Sequence, residues 1–230
     1  VLVIGHDRGG LALGEVQEFA KKLGWPVIAE DPLSFPTATP HASLFLTSTK
    51  IRQSLIPQAV VIIGRTTLSR SINSFIASSP ITYVIDPRIA TVDSDRTADK
   101  RFIAIPELDK SNPDETWIAT WKKFGERSAK VVAQFDGWNE ATIAREISKF
   151  LPNGSSLFIS SSRPIRDIEA FATPRDGVET FANRGLAGID GNISSALGMA
   201  IARKNSYALI GDLAFLHDIT GLITNEKIDC

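Results

Sequence analysis

Cysteine is nearly missing from this sequence. Cys230 is the only one, so no disulfide can form within the chain, which fits a reducing compartment and excludes a disulfide-stapled scaffold. Histidine is scarce as well, and His6, His41 and His217 have none of the His/Cys/Asp spacings typical of a zinc site. No apolar run approaches the roughly 20 residues that a membrane-spanning helix needs, and the opening residues do not read as a basic-then-apolar leader. Neither sign of charge dominates. Against 25 basic residues stand 26 acidic ones, a formal net charge of −1, which argues against nucleic acid or a membrane surface as an electrostatic partner. Gly-x-Ser-x-Gly, a Ser-His-Asp constellation, internal repeats and low-complexity tracts are also missing. The expected location is the cytoplasm.

What is present is 230 residues with 43% hydrophobic composition, enough for one large or two modest domains. Short apolar runs alternate with helical patterns through the first half. Val1–Ile4, Pro26–Ala29, Ala59–Ile63, Ile81–Ile85 and Phe102–Ile105 read as strands, and the stretch 30–42 as loop. Leu13, Val16, Phe19, Ala20 and Leu23 share a helical face, with Gly24 where a C′ residue belongs. Shorter helices are expected over Lys50–Ile56 and Leu68–Ala77. This alternation predicts a parallel α/β domain over residues 1–108. The glycine loop Gly5–Gly10 invites a dinucleotide reading, but its spacing is not G-x-G-x-x-G and no acidic residue stands convincingly at the end of the second strand. His6 and Arg8 read as solvated loop residues.

Residues 109–135 read as a connector. Ser111 to Glu115 carries helix-start signals, and Trp117, Trp121, Phe124, Ala129, Val132 and Phe135 form an apolar stripe of the packing kind. Asn139 is placed to cap a further helix with Ile143, Ile147 and Phe150 inward. A third region covers 136–230.

The chemistry-bearing residues fall in that third region. Asn183-Arg184-Gly185-Leu186-Ala187-Gly188-Ile189-Asp190-Gly191 precedes a helical pattern of Ile193, Ala196, Leu197 and Ala200. A glycine-rich loop feeding a helix N-terminus suits an anion or cofactor; the plain alternative is a surface loop with a cap. Upstream, the strand Ser156–Ser160 runs into Ser161-Ser162-Arg163-Pro164-Ile165-Arg166-Asp167, and downstream Tyr207–Ile210 runs into Gly211-Asp212-Leu213. Three strand-then-loop units are expected to meet at the carboxyl edge of one parallel sheet, where open α/β sheets bind ligands.

Together these three segments resemble thiamine-diphosphate enzymes, and among them the 2-succinyl-5-enolpyruvyl-6-hydroxy-3-cyclohexene-1-carboxylate (SEPHCHC) synthase family of menaquinone biosynthesis. The resemblance is sharp over residues 156–218 and diffuse over 1–150. It implies an α/β fold: the central domain of such an enzyme, followed by the first half of its diphosphate-binding domain. Both ends then read as cut, so that an internal piece of a longer chain is expected. The implied enzyme is a transferase that uses thiamine diphosphate and Mg²⁺. It decarboxylates 2-oxoglutarate and adds the succinyl unit to isochorismate, and it works as a homodimer or homotetramer.

For individual residues, the resemblance implies carboxylate-reading arginines at Arg166 and Arg184, both suited to the bidentate pairing that carboxylate-rich substrates require. Ser162 is implied as a cofactor or substrate contact and Ser161 as a further cofactor contact. Arg70, with Arg65 as runner-up, is implied as a substrate reader from the first domain. Ile189 matches the large aliphatic that props the bent cofactor; the plain alternative is a buried loop anchor. Asp212 is the implied metal ligand, with the N–H groups of Gly211 and Leu213 turned to a phosphate; its plain alternative, a helix cap, is compatible with that role. Asn183 and Asp190 read as structural. The family's tautomerising carboxylate and second metal-binding turn lie outside residues 1–230, so no catalytic residue is assigned and the piece alone is expected to be inactive. Two rivals remain: another thiamine-diphosphate enzyme of the acetolactate-synthase type, and a non-catalytic nucleotide-binding α/β module.

Overall fold

The computed structural model describes residues 1–88, 98–108 and 112–223; Ser111 and Cys230 lie outside them. The first half is built on β1 (Leu2–Ile4), α1 (Leu13–Leu23), β2 (Val27–Ala29), the short helices α2 (Ala42–Phe45) and α3 (Thr49–Ser54), β3 (Val60–Ile63), α4 (Arg70–Ile76), β4 (Thr82–Ile85) and β5 (Lys100–Phe102). The five strands form one parallel sheet in the order β2-β1-β3-β4-β5. Alternate residues feed two cores, as a parallel sheet covered on both faces requires. Val3 and Ile62 pack with Phe45, Phe75 and Trp121 on one side; Ile4 and Ile63 pack with Phe19 and Phe35 on the other. Each large side chain so buried contributes about 1.5–3 kcal/mol. α1 presents Val16, Phe19, Ala20 and Leu23 to the sheet and ends at Gly24, whose left-handed φ of 62° lets its N–H reach Ala20 O.

α5 (Glu115–Ala133) starts at Asp114, whose carboxylate accepts the N–H of Trp117. Its apolar stripe covers the first sheet. Trp121, 1% exposed, sits edge-on to Phe45 and Phe75 with ring centroids 5.8 and 5.4 Å away. The chain continues through α6 (Glu140–Phe150), β6 (Ser155–Ile159), α7 (Arg163–Phe171), β7 (Val178–Phe181), α8 (Asn192–Ala202), β8 (Ser206–Leu209) and α9 (Asp212–His217). The second sheet is parallel, in the order β7-β6-β8. The expected meeting of three strand-then-loop units at one carboxyl edge is therefore observed.

Three details differ from the sequence reading. β5 occupies Lys100–Phe102, not Phe102–Ile105: Tyr83 stacks edge-on against Phe102 across the β4–β5 ladder, while Ile103 points to solvent. α6 is capped by Asn139 as expected and Ile147 packs against the core of the second sheet, but its most buried residues are Thr142, Ala144 and Ser148, and Phe150 is 77% exposed. Small residues face inward because α6 lies against α7, with Ser148 Oγ accepting the N–H of Thr173 just past that helix. The stretch 30–42 is a docking segment more than a loop. Leu33, in a 3-10 turn at Pro32–Ser34, is fully buried in the core of the second sheet. Around it, Ser34 Oγ donates to Val178 O at 3.0 Å, the N–H of Arg175 donates to Pro32 O, and His41 Nδ1 meets Ala170 O at 2.8 Å.

Candidate functional site

The first sheet has a topological switch point, where neighbouring strands send their connections in opposite directions, the place where open α/β sheets bind ligands. It lies between β1 and β3. Their outgoing loops interlock so closely that a Cβ on Gly5 would stand 1.7 Å from Arg65 O, and one on Gly64, at φ 71°, 2.0 Å from Asp7 O. Only glycine fits either place. In the second sheet β6 and β8 are neighbours, and the loops that leave them touch: the N–H of Gly211 donates to Ser160 Oγ at 3.3 Å.

The loop after β6 carries Ser161 and Ser162. Ser162 has φ 75° and ψ −118°, a conformation that a residue with a Cβ adopts at a cost of about 1–3 kcal/mol and that is enriched at functional sites. It stands at the N-terminus of α7 without capping it, and its carbonyl accepts Arg166 Nη1 at 3.3 Å. Arg166 and Ser162 are exposed, while Ser161 Oγ is buried with no partner. The loop after β8 presents Asp212 and Leu213, both exposed, at the start of α9. Asp212 enters no ion pair or side-chain hydrogen bond among the described residues, so its oxygens are open to a cation.

The Asn183–Gly191 loop is fixed at both ends. Asn183 Nδ2 donates to Ser195 Oγ at 3.1 Å, as befits a structural residue. At the other end Gly191, not Asp190, is the cap position of α8. The carboxylate of Asp218 accepts the N–H groups of Gly191 at 3.0 Å and Ile193 at 2.7 Å, and these bonds hold its pKa below the usual carboxylate range. A residue of the chain thus already occupies the anion site expected at this helix N-terminus. Between the two ends Ile189 is 45% exposed. Within this chain Ile189 is therefore not a fully buried anchor, and part of its aliphatic side chain is open at the tip of the loop.

Arg184 takes an unexpected course. It is 8% exposed and reaches across to the first half of the chain, where Nη2 donates to Glu30 Oε1 at 2.9 Å and Oε2 at 3.3 Å. Glu30 directly follows β2, is 1% exposed and accepts the backbone N–H of His6 at 2.9 Å. The acidic residue that the sequence reading did not find at the second strand's end is therefore present, but it is spent inside the protein and not open to a ribose. His6 and Arg8 are not solvated either. His6 is buried against Thr180 Oγ1 at 2.9 Å, and its pKa is lowered by that burial. Arg8 lies over the Phe35 ring, 4.0 Å from the buried Asp31. Glu169 completes the cluster. Burial first, and then the charge of Glu30, push its carboxyl up to about 8, against a hydrogen bond from the Thr67 hydroxyl.

Arg65 and Arg70 stay apart from this group. Arg70 is the exposed first residue of α4, with its guanidinium open to solvent. Arg65 is engaged by Asp7, Nε to Oδ2 at 3.1 Å, in a network where Arg88 bridges Asp7 and Asp86. Thr67 is the residue that the β3 loop sends toward Glu169. The N–H of Gly211 is taken by Ser160, which leaves the next N–H groups of α9, Leu213 among them, for an anion. Sequence reasoning missed Glu30, Glu169, Thr180 and Asp218. Glu30 and Asp31 before a proline at a strand's carboxyl end were a usable signal; the other three become partners only through tertiary packing.

The class of protein follows from this geometry and from family comparison. A protein-family model described as the middle domain of thiamine pyrophosphate matches residues 1–159, and the chain belongs to that family. More particularly, the chain is 34% identical to a SEPHCHC synthase from Lysinibacillus sphaericus over 252 residues, covering 100% of this chain and 44% of that protein. It is 35% identical to one from Thermobifida fusca, covering 94% and 42%, and 32% identical to one from Listeria welshimeri, covering 91% and 40%. The chain thus spans less than half the length of the curated relatives it matches. No helix among the described residues is long and apolar enough to cross a membrane.

Proposed function

We propose that this chain is part of a SEPHCHC synthase, a thiamine-diphosphate- and Mg²⁺-dependent transferase of menaquinone biosynthesis. It would release CO₂ from 2-oxoglutarate and join the remaining succinyl unit to isochorismate. The observation that carries this reading is the alignment of the whole chain with relatives of that name. The convergence of the Ser161–Asp167, Asn183–Gly191 and Gly211–Leu213 segments at one sheet edge supports it. We read residues 1–108 as the central domain, 109–135 as its connector and 136–230 as the first part of the diphosphate-binding domain, within a cytoplasmic homodimer or homotetramer.

The residues present fit the cofactor. Asp212 offers unpaired carboxylate oxygens, the donor type that Mg²⁺ takes. Gly211 has nothing within 4 Å of a hypothetical Cβ, so a phosphate can come close to the backbone there. Asp212 would hold the cation, the N–H groups at the start of α9 would face the diphosphate, and Ile189, Ser161 and Ser162 would contact the rest of the cofactor. When bound, the cofactor supplies the nucleophilic carbon and the electron sink for decarboxylation. The chain's own part is positional. Arg166 and Arg184 would read substrate carboxylates, with Arg70 as the reader from the first domain, and the strained Ser162 loop would fix the approach. The test is turnover of 2-oxoglutarate and isochorismate by the complete polypeptide that carries this sequence, with and without thiamine diphosphate and Mg²⁺. Residues 1–230 alone should show none.

A further inference from the structure

We propose that Glu30 is the positioning residue for Arg184, holding its guanidinium by one nitrogen so that the remaining N–H groups are presented to a substrate carboxylate. The inference rests on the synthase reading above. Glu30 is rigidly placed: its own N–H donates to Ile4 O at 2.9 Å, and its Oε2 accepts the N–H of His6. Against this fixed carboxylate Arg184 spends only Nη2, with both Glu30 oxygens on that one nitrogen. Arg184 Nε is buried and has no partner. A buried guanidinium donor left unpaired is costly, and native proteins rarely keep one without a use. An arginine carries five N–H groups in a planar fork, so a guanidinium already pinned at one corner can still pair with a second carboxylate.

The arrangement serves an order that Arg184 could not supply alone. Its backbone belongs to a glycine-rich loop whose next six residues, 185–190, are all exposed, and a long side chain on such a loop has many rotamers to lose. Pinning the tip to a carboxylate on the other sheet removes that freedom before substrate arrives, so binding does not bear the ordering cost. The group contributes through Arg184 and touches no reacting atom itself. Glu169, uncharged over much of the neutral range, does not compete for the guanidinium in the same way; its Oε1 has no partner.

The experiment uses the complete synthase polypeptide with Glu30→Gln, Arg184→Lys and the double variant. Glutarate, a dicarboxylate of the substrate's length without its keto group, serves as the binding probe in calorimetry, alongside steady-state kinetics and titration of thiamine diphosphate. Glu30→Gln is expected to weaken glutarate binding and raise the KM for 2-oxoglutarate about 10-fold or more, with cofactor affinity within about twofold of the parent. The double variant should be no worse than Arg184→Lys alone, since both changes disable one device. Should Glu30→Gln fail to fold, Glu30→Asp keeps the buried charge but withdraws it by one methylene, and about a fivefold loss is expected. Glutarate affinity and KM unchanged in either folded variant, or fully additive losses in the double, would overturn the proposal. If the parent polypeptide itself neither binds glutarate nor consumes 2-oxoglutarate, the synthase reading fails instead, and the two failures are told apart.

Discussion

Arg184 and Glu30 lie 154 residues apart in sequence, and 2.9 Å separates their charged atoms. Their ion pair joins the carboxyl edge of the first sheet to the glycine-rich loop of the second. It is buried on both sides, so its Coulomb gain is largely offset by desolvation, while loss of either partner strands a charge at a cost of about 3–5 kcal/mol. The pair thus specifies how the two sheets meet more than it stabilises either. Leu33, His41 and Arg175 supply the attachment itself. The backbone N–H of Arg175 reaches Pro32 O at 2.9 Å across the two halves, while its guanidinium, on the carbonyls of Ser148 and Leu151 at 2.9 Å, fixes it within its own half.

Glu169 should make stability fall with rising pH. Its carboxyl is pushed up to about 8 in the folded chain by burial and the neighbouring Glu30, against an ordinary value of 4.5. Between those values the folded state holds the proton more tightly than the unfolded one. The contribution is therefore full below the unfolded pKa and is lost as pH rises through the folded one. Glu169→Gln removes the proton and keeps the shape. Chemical denaturation at pH 5 and pH 8 should show a smaller drop in the variant, with a gain on the order of 2 kcal/mol at the alkaline end. Parallel curves for variant and parent would mean that Glu169 is already ionised in the folded state.

Asp218 gives the opposite slope. Its pKa is lowered by the N–H groups of Gly191 and Ile193, so its contribution is present above the unfolded carboxylate value and is lost as pH falls through the lower folded one. Asp218→Ala should lower Tm at neutral pH, flatten the acid limb and speed proteolysis within 183–191, because two N–H groups at the head of α8 lose their acceptor. An unchanged cleavage rate in that loop would show that α8 needs no cap from outside.

Much of this architecture was legible because it is written in local pattern. The apolar runs gave β1, β3 and β4, and helical spacing with Gly24 gave α1 to its end. The three strand-then-loop segments pointed to one sheet edge because parallel α/β units place them there. What stayed hidden depends on distant packing. Glu30 looks like an ordinary loop acid until Arg184 arrives from the other sheet. Phe150 matches the helical spacing but lies one residue out of phase with the face that Ala144 and Ser148 turn to α7. Gly191 and Asp190 look interchangeable as helix starts until the Asp218 carboxylate is seen to bind the N–H of Gly191. The positive φ of Ser162 has no sequence signal, since serine is rarely the residue for that conformation.

Asp212 should control the cofactor through the metal. Among the described residues its carboxylate has no ion pair, so Asp212→Ala breaks no ion pair and should leave the Tm of the apoprotein within error. In the complete polypeptide, thiamine diphosphate affinity at saturating Mg²⁺ should fall steeply, since the cation would lose one of its few protein oxygens. Calorimetric titration in the presence of Mg²⁺, and again in EDTA, separates the two contributions. Equal affinity for parent and variant in Mg²⁺ would reduce Asp212 to a helix-start residue.

Arg184→Lys tests the second half of the site in the complete polypeptide. The ammonium keeps the positive charge that neutralises Glu30, so the buried carboxylate is not stranded and stability should change little, whereas Arg184→Leu should cost about 3–5 kcal/mol. Function should separate from stability. A lysine nitrogen is a single point, and once seated on Glu30 it has no planar second edge for a substrate carboxylate. One charged hydrogen bond in the transition state is then lost, about 1.5–3 kcal/mol, or roughly 10- to 150-fold in kcat/KM. Thiamine diphosphate affinity should barely move, because its diphosphate is read at Asp212 and the start of α9. Steady-state kinetics for 2-oxoglutarate and isochorismate, run beside cofactor titration and thermal melts, give all three readings on one variant. A normal kcat/KM for both substrates would take Arg184 out of the site and leave it as half of a structural ion pair. A loss of cofactor affinity with normal kinetics at saturation would make it a residue that shapes the glycine-rich loop.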